Sequence, residues 1–271
     1  MFERFTLIAG PCVLEDDALN LTVARSLARL AGELDLPVVF KASFDKANRA
    51  RADAPRGPGL AEGLARLARV RDETGLPLLT DVHEPEQARA AAEVVDVIQV
   101  PAFLARQTDL IVAAGSTGRA VNLKKGQWMA PEEMAGAVAK ARAAGAASVT
   151  VTERGTFFGY GDLVVDMRAF ARVRAACRCP VIFDGTHSVQ RPGLAGGASG
   201  GEREHVPALV LAAVAAGCDA LFLEVHPRPE AAPSDAATML PLDRLAPLLE
   251  RVLAVRQALS VPGREPATLP G

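Results

Sequence analysis

The amino-acid sequence predicts an α/β fold, a closed parallel (β/α)8 barrel of the TIM type formed by one catalytic domain. Three observations predict it. The chain has 271 residues, close to the roughly 250 of a complete eight-stranded barrel. Short apolar runs alternate with Ala/Leu/Arg-rich stretches of helical period, the βαβα signature of a parallel sheet. The first run is followed by Ala9-Gly10-Pro11-Cys12, where an open doubly wound sheet would carry a glycine-rich phosphate fingerprint.

The expected strands are Phe5 to Ala9, Pro37 to Phe40, Pro77 to Thr80, Val94 to Val100, Ala120 to Leu123, Ser148 to Thr152, Pro180 to Phe183 and Ala220 to Leu223. Between them, Ala18 to Glu33 and Gly59 to Thr74 set leucine and alanine three and four residues apart with charges between, which makes an amphipathic helix. Pro131 suits a helical first turn, and Gly75, Gly118 and Gly145 stand where helices should stop. The barrel is expected over about residues 5–259, with 260–271 as a tail. Pro192 to Gly201, rich in glycine, reads as a surface loop or as a lid over the seventh strand's end.

Composition narrows the function. A formal net charge of -2 and 49% hydrophobic residues give no electrostatic pull toward nucleic acid or an acidic membrane. No apolar run reaches the roughly 18 residues of a membrane span, and Met1 to Gly10 lacks a secretory pattern, so a cytoplasmic protein is expected. Cys12, Cys177, Cys179 and Cys218 are too few for a disulfide framework, and the last three read as small core residues. Without a GxxxxGK[ST] loop or a well-placed GxGxxG, no nucleotide cofactor is expected.

Scarce residues mark the chemistry. Arginine outnumbers lysine about five to one, and the 4 histidines are His83, His187, His205 and His226. Polar residues that end an apolar strand project into the catalytic mouth of such a barrel. That set comprises Cys12, Lys41, Asp81 with His83, Gln99, Lys124 with Lys125, Glu153 with Arg154, Asp184 with His187, and Glu224 with His226. Lysines and an arginine converging on one mouth point to phosphorylated small molecules, because ammonium and guanidinium groups make charge-assisted bonds to phosphate and carboxylate. Cys12, His187, Glu224 and Asp235 follow strands one, seven and eight, neighbours around a closed barrel. Their donor types suit one divalent ion of borderline softness, although spacing alone equally allows a buried thiol beside ordinary ion-paired carboxylates.

Several segments carry a resemblance: Ile8-Ala-Gly-Pro-Cys12, Ser43-Phe-Asp-Lys-Ala-Asn-Arg49, Arg56-Gly-Pro-Gly-Leu60, Pro101-Ala-Phe-Leu-Ala-Arg-Gln-Thr-Asp-Leu110, Asn122-Leu-Lys-Lys-Gly-Gln127, Thr186-His-Ser-Val-Gln190 and Ser234-Asp235. Together they resemble 3-deoxy-D-manno-octulosonate 8-phosphate synthase from about Phe5 to about Leu259. The resemblance implies condensation of phosphoenolpyruvate with D-arabinose 5-phosphate, release of inorganic phosphate, and a place in lipopolysaccharide inner-core synthesis. Cysteine at position 12, where another class of the family has asparagine, is similar to the metal-dependent class, as are Lys-Lys-Gly-Gln and Ser234 to Thr238.

That class implies one divalent metal, with Fe2+, Zn2+ and Mn2+ all suitable, held by Cys12, His187, Glu224 and Asp235. It implies Lys41, Lys46, Gln99, Lys124, Arg154 and His187 as phosphoenolpyruvate contacts, and Ser43, Asn48 and Arg49 on the pentose-phosphate side. Phe103 and Arg106 would reach in from a neighbouring subunit of a homotetramer, and His187, Lys46, Asp235 and Asn48 would be catalytic. One departure stands out: the family's Asn-Arg-Ser-Ser is here Asn48-Arg49-Ala50-Arg51, without a hydroxyl for the pentose phosphate. A sister synthase that uses erythrose 4-phosphate typically carries Lys-Pro-Arg-Thr where this chain has Lys46-Ala-Asn-Arg49. A metal-bound, non-catalytic sugar-phosphate sensor is the rival from another class, and the full set of strand-end groups argues against it.

Overall fold

A computed structural model describes residues 2–48, 53–158, 160–195 and 198–260. The barrel strands are β1 (Thr6–Gly10), β2 (Val38–Lys41), β3 (Leu78–Asp81), β4 (Val97–Val100), β5 (Ala120–Lys124), β6 (Val149–Glu153), β7 (Val181–Asp184) and β8 (Ala220–His226). Each pairs in parallel with the next, and β1 pairs in parallel with β8 from Thr6↔Ala220 to Gly10↔Glu224, which closes the barrel. The outer ring is α1 (Asp17–Glu33), α2 (Leu60–Thr74), α3 (Pro85–Ala92), α4 (Thr108–Ser116), α5 (Met134–Ala143), α6 (Ala169–Cys177), α7 (Val206–Ala215) and α8 (Leu245–Leu259).

Every expected strand is present, with altered ends. Val94 and Val95 are not in β4, because their N–H groups both bond to the Ala91 carbonyl and finish α3. Gly75, Gly118 and Gly145 do end helices, all with positive φ. At two other helix ends a residue other than glycine takes the left-handed conformation, Asp35 after α1 and Arg178 after α6, with φ 46 and 50. Pro131 opens a short 3-10 turn that leads into α5.

The apolar core has two parts. The larger lies between strands and helices, with Leu27, Leu67, Ile111, Phe170 and Leu249 fully buried from the helical side. The smaller fills the barrel: Phe2, Ile8, Val39, Leu79, Val97, Ala120, Ile182, Ala220 and Phe222. Cys177, Cys179 and Cys218 are buried, as expected of small core residues.

Two antiparallel ribbons stand at the mouth. Thr156–Phe157 pairs with Leu163–Val164 after β6, and Gln190–Ala195 pairs with Ala198–Gly201 after β7. The stretch from Pro192 to Gly201 is therefore a backbone-paired ribbon where it is described, rather than a structureless loop. Leu240–Pro241 pairs in parallel with the end of β8, so the intervening segment with Asp235 folds back over the mouth. Among the described residues no helix is long and apolar enough to cross a membrane.

Candidate active site at the barrel mouth

Alternation along a strand turns every second residue inward. At the C-terminal level this brings Lys41, Asp81, Gln99, Lys124, Asp184 and Glu224 together, all buried. Gly10 takes the corresponding place on β1, where a Cβ would lie 2.0 Å from the Lys41 carbonyl oxygen, so only glycine fits. Charges at this depth survive because they are paired. Lys41 Nζ donates to Glu224 Oε1 at 2.8 Å and to the Cys12 carbonyl at 3.0 Å. Lys124 bonds to Asp184 Oδ2 and stands 3.4 Å above the Phe222 ring, with Lys41 5.4 Å from the same ring.

A carboxylate–histidine pair adjoins these. Asp184 Oδ1 accepts the backbone N–H of Thr186 and of His187, while Oδ2 lies 2.8 Å from His187 Nδ1. That leaves Nε2 of His187 turned toward the mouth, 3.7 Å from Glu224 Oε2. Burial pushes the Asp184 carboxyl up, but His187 and Lys124 more than reverse this and hold it well below the usual carboxylate range. Burial drives Lys124 down to about 8 despite the attraction of Asp184.

Cys12, Glu224 and Asp235 offer one ligand atom each, all within 4.8 Å of one another. Cys12 Sγ donates to Asp235 Oδ2 at 3.0 Å. Burial, then Asp235 and Glu224, raise this thiol well above its ordinary value, against the opposing pull of Lys46 and Lys41. Glu224 Oε2 is buried with no hydrogen-bond partner among the described residues. A buried polar atom left unpaired costs about 1–3 kcal/mol, and more when charged. An unpaired carboxylate oxygen, a thiol and a second carboxylate around one point fit a borderline divalent cation. His187 is not in that 4.8 Å group; its Nε2 approaches from the Glu224 side, and the hydrogen bond of Nδ1 to Asp184 is the support that metal-bound imidazoles commonly have.

Further polar groups line the same mouth. Arg154, after β6, is 6% exposed; its Nη2 donates to Gln190 Oε1 at 2.5 Å, and its Nη1 is buried without a partner among the described residues. Burial lowers the guanidinium's pKa, an effect that Asp184 and Asp235 oppose. Gln99 Oε1 accepts from Asn122 Nδ2 at 3.0 Å. Ser43 Oγ donates to Asp81 Oδ1 at 2.5 Å, and His83 Nε2 lies 3.1 Å from Asp81 Oδ2. Lys46 follows β2, half-buried, and Asn48 beyond it is exposed. Arg49, with Ala50 and Arg51, lies outside the described residues.

Phe103 and Arg106 are both exposed on the segment between β4 and α4, Phe103 at 6.0 Å from Trp128. Lys125 turns away, its ammonium bonding to the Gly126 and Met129 carbonyls and to Thr156 Oγ1. Asp81 and Asp184 belong to the strand-end set but have no assigned role in the sequence reading, although each holds a neighbour in place. Gln190 lies one turn past His187 in a conspicuous motif, and no sequence signal shows that its side chain joins Arg154 to Asp235.

A closed parallel barrel with lysines, an arginine and a thiol–carboxylate cluster at the C-terminal ends of its strands is the framework of a barrel enzyme. A family model described as the DAHP synthetase I family matches residues 3–260. The chain belongs to that family. It is similar to proteins named 2-dehydro-3-deoxyphosphooctonate aldolase: 55% identical over 249 residues to that of Syntrophotalea carbinolica, covering 92% of this chain and 90% of the relative. The protein of that name from Nitratidesulfovibrio vulgaris is 54% identical over 252 residues, covering 93% and 92%. That from a Cyanothece species is 51% identical over 258 residues, covering 95% and 94%.

Proposed function

We propose that this enzyme condenses phosphoenolpyruvate with D-arabinose 5-phosphate and water to give 3-deoxy-D-manno-octulosonate 8-phosphate and inorganic phosphate, in the cytoplasmic synthesis of the lipopolysaccharide inner core. The observation that carries the reading is the buried Nη1 of Arg154, without a hydrogen-bond partner among the described residues, at the same strand ends as Lys41, Lys124 and the Cys12–Glu224–Asp235 cluster. The relatives' name refers to the eight-carbon phosphorylated 3-deoxy keto acid that this condensation makes. One barrel domain carries this reaction; the expected tail lies outside the described residues beyond Ser260.

Carbon 3 of an enol phosphate is a weak nucleophile, so the aldehyde must be held close to it and water kept from competing. Lys41, Lys46, Gln99, Lys124 and Arg154 bind the phosphate and carboxylate of phosphoenolpyruvate and offset charge as phosphate is lost. Ser43, Asn48 and Arg49 orient the pentose phosphate, with Phe103 and Arg106 supplied by a neighbouring subunit of a homotetramer. An exposed pair of large aromatics, Phe103 and Trp128, supports that association. Cys12, His187, Glu224 and Asp235 hold one divalent ion, and Fe2+, Zn2+ and Mn2+ all suit the donor set. When bound, such an ion supplies Lewis acidity toward an aldehyde or a water molecule. His187, Lys46, Asp235 and Asn48 are the catalytic residues of this reading, and Asp184 keeps His187 Nε2 directed at the mouth.

The test is phosphate release from phosphoenolpyruvate across a panel of aldose phosphates, with and without chelator. Arabinose 5-phosphate should be used far faster than erythrose 4-phosphate, and chelator should stop the reaction until a divalent metal is restored. Equal or reversed preference between the two aldoses would refute the substrate assignment. A family described by DAHP synthetase does not itself decide the aldose, so both sugars belong in the assay.

A further inference from the structure

Arg154 and Asp235 belong to opposite halves of the site, and a single amide spans them. Gln190 Oε1 accepts from Arg154 Nη2 at 2.5 Å, and Gln190 Nε2 donates to Asp235 Oδ1 at 2.6 Å. Both partners are charged, so both bonds are of the stronger, charge-assisted kind. The orientation of the amide is dictated by these neighbours: turned over, its NH2 would face a guanidinium and its oxygen a carboxylate, two repulsive contacts.

The groups at either end need outside support. Asp235 sits in neither helix nor strand, with φ 51, a conformation that aspartate adopts infrequently. Gln190, by contrast, is firmly mounted. It is 8% exposed, its N–H bonds to the His187 carbonyl, and it opens the ribbon strand Gln190–Ala195, paired with Gly201. Gly201 in turn lies against Thr238, where a Cβ would stand 2.1 Å from Cγ2. From the same end of that ribbon, Arg203 donates to the carbonyls of Ala236 and Ala237, directly beyond Asp235.

We infer that Gln190 is a positioning residue for both half-sites. Its oxygen ties down Nη2 of Arg154, which leaves Nη1 for the enol-phosphate anion. Its NH2 occupies Oδ1 of Asp235, so a cation would meet Oδ2, the oxygen that lies beside the Cys12 thiol and also accepts from Ser234 Oγ at 2.7 Å. This rests on the proposed function above for the identity of anion and cation. Its consequence goes further: the chemistry of residue 190 should separate the two binding events.

Gln190→Glu keeps an acceptor for Arg154 but sets a carboxylate against Asp235. Gln190→Met keeps the length and supplies neither bond. Cd2+ serves as the metal probe, read through the thiolate-to-metal absorbance of Cys12. Phosphoenolpyruvate affinity is measured by titration at saturating Cd2+, below the melting temperature of each variant. For Gln190→Glu, Cd2+ binding should weaken by about 10- to 100-fold while phosphoenolpyruvate affinity stays close to that of the wild type. For Gln190→Met, both affinities should fall, each by about tenfold or more. A residue that only supports the fold would shift both affinities in proportion in either variant. Such a parallel loss in Gln190→Glu, or unchanged affinities in Gln190→Met, would overturn the inference. Wild-type protein that binds neither Cd2+ nor phosphoenolpyruvate would refute the proposed function instead.

Discussion

Two layers of the barrel interior lie one alternation apart on the same strands and have opposite chemistry. The lower layer holds Ile8, Val39, Leu79, Val97, Ile182 and Phe222, sealed from solvent. Two residues further on, the same strands present Gly10, Lys41, Asp81, Gln99, Asp184 and Glu224. The step is about 6.6–6.8 Å along a strand. Below it, side chains only fill space. Above it, each buried ion would cost several kcal/mol if left alone, so the layer persists through pairs such as Lys41–Glu224 and Lys124–Asp184. Phe222 is where the two layers meet, its ring packed into the floor and its face under both ammonium groups. Stability and chemistry are thus stacked rather than mixed, and each layer should respond to mutation in its own way.

The hardest test of that separation is Cys12→Ala. It should lower kcat/KM by about a thousandfold or more, with loss of bound metal, because it removes one corner of the ligand cluster. The barrel should stay folded, since a single small side chain is lost. Metal analysis and thermal melting decide it: full activity in wild-type protein stripped of metal would return Cys12 to the role of a core residue. The converse comes from the floor, where Leu79→Ala should cost about 2–5 kcal/mol of stability, and the protein that remains folded should work at nearly the wild-type rate. Comparable losses of kcat and stability would show that the layers are not independent.

A pH profile sharpens the boundary between them. Lys124 carries its charge below about 8 and loses it as pH rises, because burial disfavours the ammonium more than Asp184 and Glu224 favour it; Lys41 adds to the depression. kcat/KM for phosphoenolpyruvate, which reports the free enzyme, should therefore decline by about tenfold per pH unit above that value. Bound substrate anion favours the charged form, so kcat should hold to higher pH. A kcat/KM that stays level to pH 10 would remove Lys124 from the anion site. The smallest effect is expected at the rim: Gly201→Ala must push its new Cβ against Thr238, straining the packing by about 1–3 kcal/mol. Faster amide exchange across Ser234 to Thr238, with the floor strands unchanged, is the expected signature, and equal changes in both would show that the rim is not a separate unit.

Much of the upper layer was legible in the sequence because a polar residue that interrupts an apolar run is conspicuous. Lys41, Asp81, Gln99, Lys124, Asp184 and Glu224 all stand out in that way, and Cys12 follows directly on β1. What escaped were residues whose importance lies in a partner. Gln190 matters because Arg154 and Asp235 lie at its two ends, 36 and 45 residues away. The chain's arginines also misdirect, since most of those paired among the described residues bind surface carboxylates, as Arg172 does with Glu132 and Arg174 with Asp219. The ribbon after β7 was hidden by its glycines, which suggest a loop when read alone, although Gln190↔Gly201 and Arg191↔Gly200 pair in a ladder.

By itself, then, the sequence determined the alternation of strands and helices, the inward phase of each strand, and the inventory of groups at the strand ends, because all of these are local periodicities of the backbone. Only the tertiary structure decided which groups meet. Closure of β1 onto β8 sets Gly10 opposite Glu224 and so brings Cys12 to Glu224 and Asp235. The same closure gives Lys41 to Glu224, across 183 residues of chain, and Lys124 goes to Asp184 rather than to a carboxylate nearer in sequence. The reason is that strand tilt and stagger are properties of the whole closed sheet, fixed jointly by all eight strands and the helices packed on them, and no local stretch contains them.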